Sequence, residues 1–305
     1  MSARAPAQVS RLVRFSLTTG AVEPLAEFYR SAFGCRPLPV ESVAGADFEF
    51  TMGVGGGSRR VHLSLGEECI ELLQFEAPGA PYPRDMPSSD LRFQHFAIVV
   101  ADMDEAFARL RRIQGWTAIS QAGPEQLPAA SGGVSAFKFR DPEGHPLELL
   151  SFPRGRAPPA WQHRSDAALF LGIDHSAISV ADSARSVAFY EALGLTVVAQ
   201  SLNRGPEQAR LDGIEGVQVE VTALALPAGG PHVELLCYRG TVRSAGRAFM
   251  SELRPNDVAT TRLVFEREGG SANPLRMQPD QGLLDPDGHH LVLLRTGNAA
   301  ASSGS

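Results

Sequence analysis

Along "HFAIVVADMDEAF", beginning at His95, bulky apolar residues alternate with small or polar ones: Phe96, Ile98 and Val100 fall on one side of an extended chain, and His95, Ala97 and Val99 on the other. The pattern predicts a strand with one face on a core. Its second face, small residues beside a histidine, suits the floor of a cavity. The period changes in "EPLAEFYRSAFG", where Leu25, Phe28, Tyr29, Ala32 and Phe33 recur at helical spacing and Gly34 supplies a stop, which predicts an amphipathic helix. Asp102, with Glu105 three residues on, gives a second helix an N-cap and a capping-box partner.

These patterns repeat. "HFAIVVADMDEAF" lies over "HSAISVADSARSVAFY" from His175, and each is followed at a similar distance by an apolar strand with a central carboxylate, "HPLELLSF" with Glu148 and "HVELLCY" with Glu234. Near the N-terminus "RFSLTTGAVEPLAEFYRSAFG" runs into "CIELLQF", with Arg14 and Glu71 in the histidine and glutamate places. A fourth copy is shorter: "DVATTRLVFE" puts Arg262 where a histidine should be, "DPDGHHLVLL" matches "DPEGHPLELL", and Val292 replaces Glu148. Each full unit reads as strand, helix, then three strands, and the fourth is expected to lack a regular helix between Arg262 and Asp285. The joints are "EAPGAPYPRDMPSSD", "PRGRAPPAWQHRSDA" and "RGTVRSAGRAFMSELRPND"; a boundary is expected in the second, near 154–168. Domains are therefore expected over 11–153 and 169–296, with disordered tails over 1–10 and 297–305.

Composition narrows the function classes. At 305 residues, 43% hydrophobic and 20% charged, the chain has the make-up of a globular protein with a sizeable core. A net charge of −6 and the absence of any Lys/Arg-rich block give no support to a nucleic-acid or anionic-membrane partner, so a small-molecule partner is expected. No leader-like or membrane-spanning apolar run occurs, which favours a cytoplasmic protein, a monomer or homodimer. The cysteines Cys35, Cys69 and Cys237 are odd in number and scattered, resembling neither a disulfide framework nor a thiolate metal site.

The repeated unit, the helix ends "FYRSAFG" and "FYEALG", and the "DPEGH" and "DPDGH" turns resemble the vicinal oxygen chelate superfamily, which includes glyoxalase I, methylmalonyl-CoA epimerase, extradiol dioxygenases and bleomycin or fosfomycin resistance proteins. The resemblance covers residues 11–295 and implies an α+β fold: tandem βαβββ units, four with the last truncated, form two open, curled mixed-sheet barrels with helices outside. It also implies a divalent metal held by the first and last strands of two facing units. His95, Glu148, His175 and Glu234 match those four places; Glu71 matches too, whereas Arg14, Arg262 and Val292 do not.

Which units share a barrel decides the chemistry. Pairing one with two and three with four leaves both ligand sets incomplete. Pairing two with three, as in domain-swapped and tandem glyoxalases, brings His95, Glu148, His175 and Glu234 together and consigns every loss to the other barrel, so this arrangement is preferred. Two imidazoles with two carboxylates suit Fe, Mn, Co, Ni or Zn and leave positions for water or substrate. A mid-strand buried carboxylate would otherwise be costly.

The expected activity is a glyoxalase-like isomerase or lyase, in which the metal stabilises an enediolate or related oxyanion and Glu148 or Glu234 moves a proton. An extradiol-type ring-cleaving dioxygenase, with two histidines and one carboxylate, and a metal-free binding or resistance protein are the alternatives. The stretch "SLNRGPEQARLDG" reads either as a solvated hairpin turning at Gly205 and Pro206 or as a cavity mouth whose Asn203, Arg204, Glu207, Gln208 and Asp212 hold substrate oxygens. His145 and His289 follow recurrent turns and are expected to be structural. His232, two before Glu234, reads as a polar residue before the strand in preference to a residue sharing the face of Glu234, His62 and His163 carry no signal, and Arg14 and Arg262 are expected to neutralise Glu71 in a buried ion pair.

Overall fold

The computed structural model describes residues 8–162, 168–240, 253–267 and 278–295. The first unit comprises β1 (Val9–Thr18), α1 (Val22–Phe33), β2 (Arg36–Pro37), β3 (Glu41–Val43), α2 (Ala46–Met52), β4 (Ser58–Leu65) and β5 (Glu68–Phe75). The second comprises β6 (Gln94–Val100), α3 (Met103–Leu110), β7 (Thr117–Ala118), β8 (Glu125–Gln126), a 3-10 turn (Ala129–Ser131), β9 (Ser135–Arg140) and β10 (Pro146–Ser151). After α4 (Pro159–Gln162) the third runs through β11 (Phe170–Ser179), α5 (Ser183–Ala192), β12 (Thr196–Arg204), α6 (Pro206–Asp212), β13 (Gln218–Ala225) and β14 (His232–Arg239). The fourth contributes β15 (Thr261–Arg267), β16 (Gln278–Leu284) and β17 (His290–Arg295). Of the stretch from Arg262 to Asp285 in which this unit was expected to lack a helix, residues 268–277 lie outside the described residues, as do His163 and most of both expected tails. Val9 and Ser10, placed in the N-terminal tail by sequence, already belong to β1.

Two open mixed sheets result. One has the order β16-β17-β15-β1-β5-β4-β2, with β3 also on β4; the other has the order β12-β13-β14-β11-β6-β10-β9-β7, with β8 also on β9. Within each unit the first and last strands run parallel, as β6 with β10 and β11 with β14. Units meet through their first strands: β6 pairs antiparallel with β11, and β1 with β15. Units two and three therefore share one sheet, and units one and four the other.

The helices form where the pattern placed them. Leu25, Phe28, Tyr29, Ala32 and Phe33 are all buried along α1, and Gly34 takes the left-handed conformation (φ 74°) that ends it. The Asp102 carboxylate accepts the N–H of Glu105 at 2.9 Å to cap α3. Phe96, Ile98 and Val100 join Met103, Ala106 and Leu110 of α3 in a core that also takes in α1 and the outer face of the other sheet. Phe15 of β1 meets Phe96 of β6 at 5.4 Å between ring centroids, and Phe33 touches both Phe139 (6.1 Å) and Phe170 (5.6 Å). Burying a side chain such as Phe33 contributes about 3 kcal/mol. The two sheets are thus back to back, with their concave faces turned outward and free to hold sites.

The "DPxGH" turns lock this arrangement. Asp141 Oδ1 accepts the N–H groups of Glu143, Gly144 and His145 at 2.9–3.0 Å, and Oδ2 accepts the Tyr29 hydroxyl of α1 at 3.1 Å. His145 donates from Nδ1 to Asp141 (2.8 Å) and from Nε2 to the carbonyl of Thr18 (2.9 Å). Burial pushes this imidazole down, but the Asp141 carboxylate more than compensates and raises it, so both nitrogens can donate. The fourth unit repeats the device on the third: the Tyr190 hydroxyl donates to Asp285 (3.3 Å) and His289 Nε2 to the carbonyl of Ser179 (3.0 Å). Both histidines are structural.

Candidate metal centre

The β6–β11 ladder sets His175 opposite Ala97 and His95 opposite Ala177; the parallel ladders set Ala97 beside Glu148 and Ala177 beside Glu234. All four side chains are thereby directed to the concave face around two alanines too small to intrude. His95 Nε2 lies 2.9 Å from Glu148 Oε2, and His175 Nε2 lies 3.6 Å from both Glu148 Oε2 and Glu234 Oε2. The ring centroids of the two histidines are 5.9 Å apart. One donor atom each from His95, Glu148 and His175 falls within 4.8 Å of the other two. Ligand atoms about 2 Å from one ion stand about 3–4 Å apart, so the spacing suits a shared cation. Glu234 is the outermost member, its side chain 23% exposed against 7% for Glu148.

The electrostatics suit cation binding. Burial alone would raise Glu148, but hydrogen bonds to His175 and His95 and the nearby Lys138 charge hold it well below the usual carboxylate range. Burial would lower His175, but the Glu234 charge and the hydrogen bond to Asp174 raise it well above the ordinary imidazole value. Burial dominates at His95 and lowers it despite Glu148. His175 thus supplies the positive charge that its carboxylates demand, a role that a divalent ion on its neutral form would take over. Its Nδ1 lies 3.0 Å from Asp174 Oδ2, a carboxylate whose Oδ1 accepts the Trp161 indole N–H at 2.6 Å. This bond leaves Nε2 for the site.

The quartet opens on a cavity of about 640 Å³. Its walls are largely apolar, with Leu127, Leu150 and Phe152 from unit two facing Val219, Val221 and Leu236 from unit three. Of the residues that sequence assigned to substrate, Asn203 and Gln208 line it, whereas Arg204 and Glu207 do not. Arg204 is exposed and borders a separate groove beside Pro206. The hairpin expected here is corrected by the structure: Gly205 and Pro206 open α6, with proline in the first turn, where its missing N–H costs nothing. Asp212, at the end of that helix, is buried and accepts Lys138 Nζ (2.6 Å), Gln208 Nε2 (2.7 Å) and the Tyr238 hydroxyl (3.2 Å). Lys138 was missed by sequence, although "SAFKFR" alternates and Lys138 pairs across the ladder with Glu148.

The other sheet keeps the same frame without the ligands. Ser16 stands where Ala97 does and donates to Glu71 at 2.7 Å, while Arg14, Arg262 and Val292 occupy the remaining places. Phe48 and Met52 of α2 pack against Val264 and Val292, leaving a cavity of about 230 Å³. The expected ion pair is half right. Arg14 Nε is 3.9 Å from Glu71 Oε2, but His62 Nε2 lies closer, at 2.9 Å. Arg262 instead donates to Thr18 Oγ1 (2.9 Å) and to the carbonyl of Pro255, and burial pushes its guanidinium down to about 10.

Comparison with known proteins agrees with this architecture. The family model of the Glyoxalase/Bleomycin resistance protein/Dioxygenase superfamily matches residues 11–149 and 172–294. Glyoxalase I from Zea mays is similar in fold, with 15% identity over 94% of this chain and 92% of that chain and a TM-score of 0.55; a point mutant of the same enzyme gives 0.56. A putative dioxygenase from Bacillus subtilis aligns at 10% identity over 96% of this chain and 87% of that chain, with a TM-score of 0.51. No curated protein matches the chain. No described helix is long and apolar enough to cross a membrane.

Proposed function

Because the chain belongs to the Glyoxalase/Bleomycin resistance protein/Dioxygenase superfamily, we propose that it is a metal-dependent enzyme acting on a small oxygenated molecule, an isomerase or lyase of the glyoxalase kind. The observation that carries this reading is the clustering of His95, Glu148 and His175 donor atoms within 4.8 Å, with Glu234 3.6 Å from His175. These four residues would hold Fe, Mn, Co, Ni or Zn. A divalent ion bound there supplies Lewis-acid stabilisation to oxygens on which negative charge develops.

The chain's own residues divide the remaining work. Asp174 orients His175, and His95 holds Glu148 by a 2.9 Å contact, so these residues form the fixed side of the site. Glu234 has no contact as short and is the more exposed carboxylate, which suits it to take a proton from a carbon beside the bound oxygens and return it. The apolar walls exclude water from that exchange. Asn203 and Gln208 face the substrate.

A second reading, oxygen-dependent ring cleavage, is favoured by one observation: the tight cluster comprises two histidines and one carboxylate, with Glu234 outside it. Protein reconstituted with each metal in turn, then assayed on vicinal dicarbonyl and catechol compounds with an oxygen electrode, separates the two. Turnover without oxygen uptake, lost in Glu234→Gln, is expected. Oxygen uptake that survives Glu234→Gln contradicts the isomerase or lyase reading.

A further inference from the structure

We propose that the site selects an uncharged molecule bearing a hydroxyl group, received by Lys138 and Gln208, beyond the oxygens placed at the histidines. The inference rests on the quartet being the reaction centre and adds the class of substrate.

Charge supports the first half. Among the described residues lining the cavity, the carboxylates are Glu68, Glu148, Asp174 and Glu234, and the only lysine or arginine is Lys138. Its ammonium is bonded to Asp212 at 2.6 Å, so the pair is neutral and offers no free cation to an acidic substrate. A carboxylate or phosphate entering this pocket would surrender its hydration beside four carboxylates, where the charge of Lys138 is already met by Asp212 and that of His175, or of an ion in its place, by Glu148 and Glu234.

Unmet hydrogen-bonding capacity supports the second half. The Asp212 carboxylate can only accept, so the Gln208 amide must turn its NH₂ toward it, at 2.7 Å, and its oxygen the other way. That oxygen, Gln208 Oε1, is buried and has no partner, on a residue only 4% exposed that lines the cavity. An unmet buried acceptor is costly to keep. Lys138, also 4% exposed and lining the cavity, spends one of its three N–H donors on Asp212. The two side chains are bonded to the two oxygens of one carboxylate and so flank it, one with spare donors and the other with a spare acceptor. A hydroxyl group, which donates and accepts at once, answers both.

A purely structural role, tying β9 of unit two to α6 of unit three, would need the Lys138–Asp212 bond but not the unsatisfied glutamine beside it. The cavity, about 640 Å³, falls in the range that encloses a ligand of one or two rings.

The test uses three probes that share a vicinal diol and a ring: 1-phenylethane-1,2-diol, its 4-hydroxyphenyl analogue and its 4-carboxyphenyl analogue. Affinities are measured by calorimetry on full-length protein whose metal content is determined on the same sample. The hydroxyl probe should bind about tenfold tighter than the unsubstituted one, and the carboxylate probe about tenfold weaker. Gln208→Leu should erase the hydroxyl advantage, read as the ratio of the two affinities within the variant, and leave metal content unchanged. Tighter binding of the carboxylate, a hydroxyl advantage that persists in Gln208→Leu, or no binding of any probe to metal-replete protein overturns the inference. Protein that takes up no metal yet prefers the hydroxyl probe overturns the metalloenzyme reading and upholds this one.

Discussion

Asp174 Oδ2 lies 3.0 Å from His175 Nδ1, although the two residues are consecutive in one strand. Neighbours on a regular strand point to opposite faces; here the β6–β11 register skips Asp174, with Ile173 opposite Ile98 and His175 opposite Ala97. Such a bulge lets an extra residue share a face with its neighbour. Unit one skips Val13 at the corresponding place, so units one and three share the bulge, and of the two only unit three puts a carboxylate on it.

Asp174→Ala is therefore expected to loosen His175 and to lower divalent-metal affinity about 10–100-fold, the usual effect of losing such an orienting partner. Metal titration by calorimetry or competition with a chromogenic chelator reads this directly. Unchanged affinity would show that His175 needs no orienting partner.

In the other barrel, Glu71 is buried; burial alone would raise it, but the charge of Arg14 and the bond to His62 more than compensate and depress its titration strongly. A carboxyl with a depressed folded-state value contributes stability above its unfolded value, about 4.3, and loses it as pH falls further. Glu71→Gln should cost about 3 kcal/mol near neutral pH by removing the buried anion that Arg14 and His62 face, and the difference from wild type should shrink below about pH 4. Urea unfolding across that pH range checks both.

Phe33, at the end of α1, packs against the sheet of units two and three, 2% exposed and touching Phe28, Tyr29, Phe139 and Phe170. Phe33→Ala should destabilise by about 3–5 kcal/mol. The change is far from the concave face, so metal stoichiometry at low temperature should be retained.

Much of this was legible because the repeat frame is a structural frame. Residues at the same repeat position share a ladder register, so aligning His95 with His175 and Glu148 with Glu234 gave each a place in its own unit, and the preferred pairing of units two and three put all four on one concave face. Side chains that act through partners distant in sequence stayed hidden. Lys138 is a lone lysine among phenylalanines until Asp212 arrives from α6; His62 gains meaning only when β4 sets it opposite Glu71. Asp174 looks like the residue before a histidine, because a bulge leaves no mark on a hydrophobic pattern. Arg262 was only partly placed by charge sign: it feels the Glu71 charge, but its guanidinium hydrogen-bonds to Thr18 and the Pro255 carbonyl.

The most direct measurement is divalent-metal content, by elemental analysis of protein purified without chelator, for wild type and for Glu148→Gln combined with Glu234→Gln, with melting temperature read on the same samples. One ion per chain in wild type, lost in a double variant that still folds cooperatively, is the predicted result. Equal metal in both proteins would contradict the assignment of His95, Glu148, His175 and Glu234 as a metal centre.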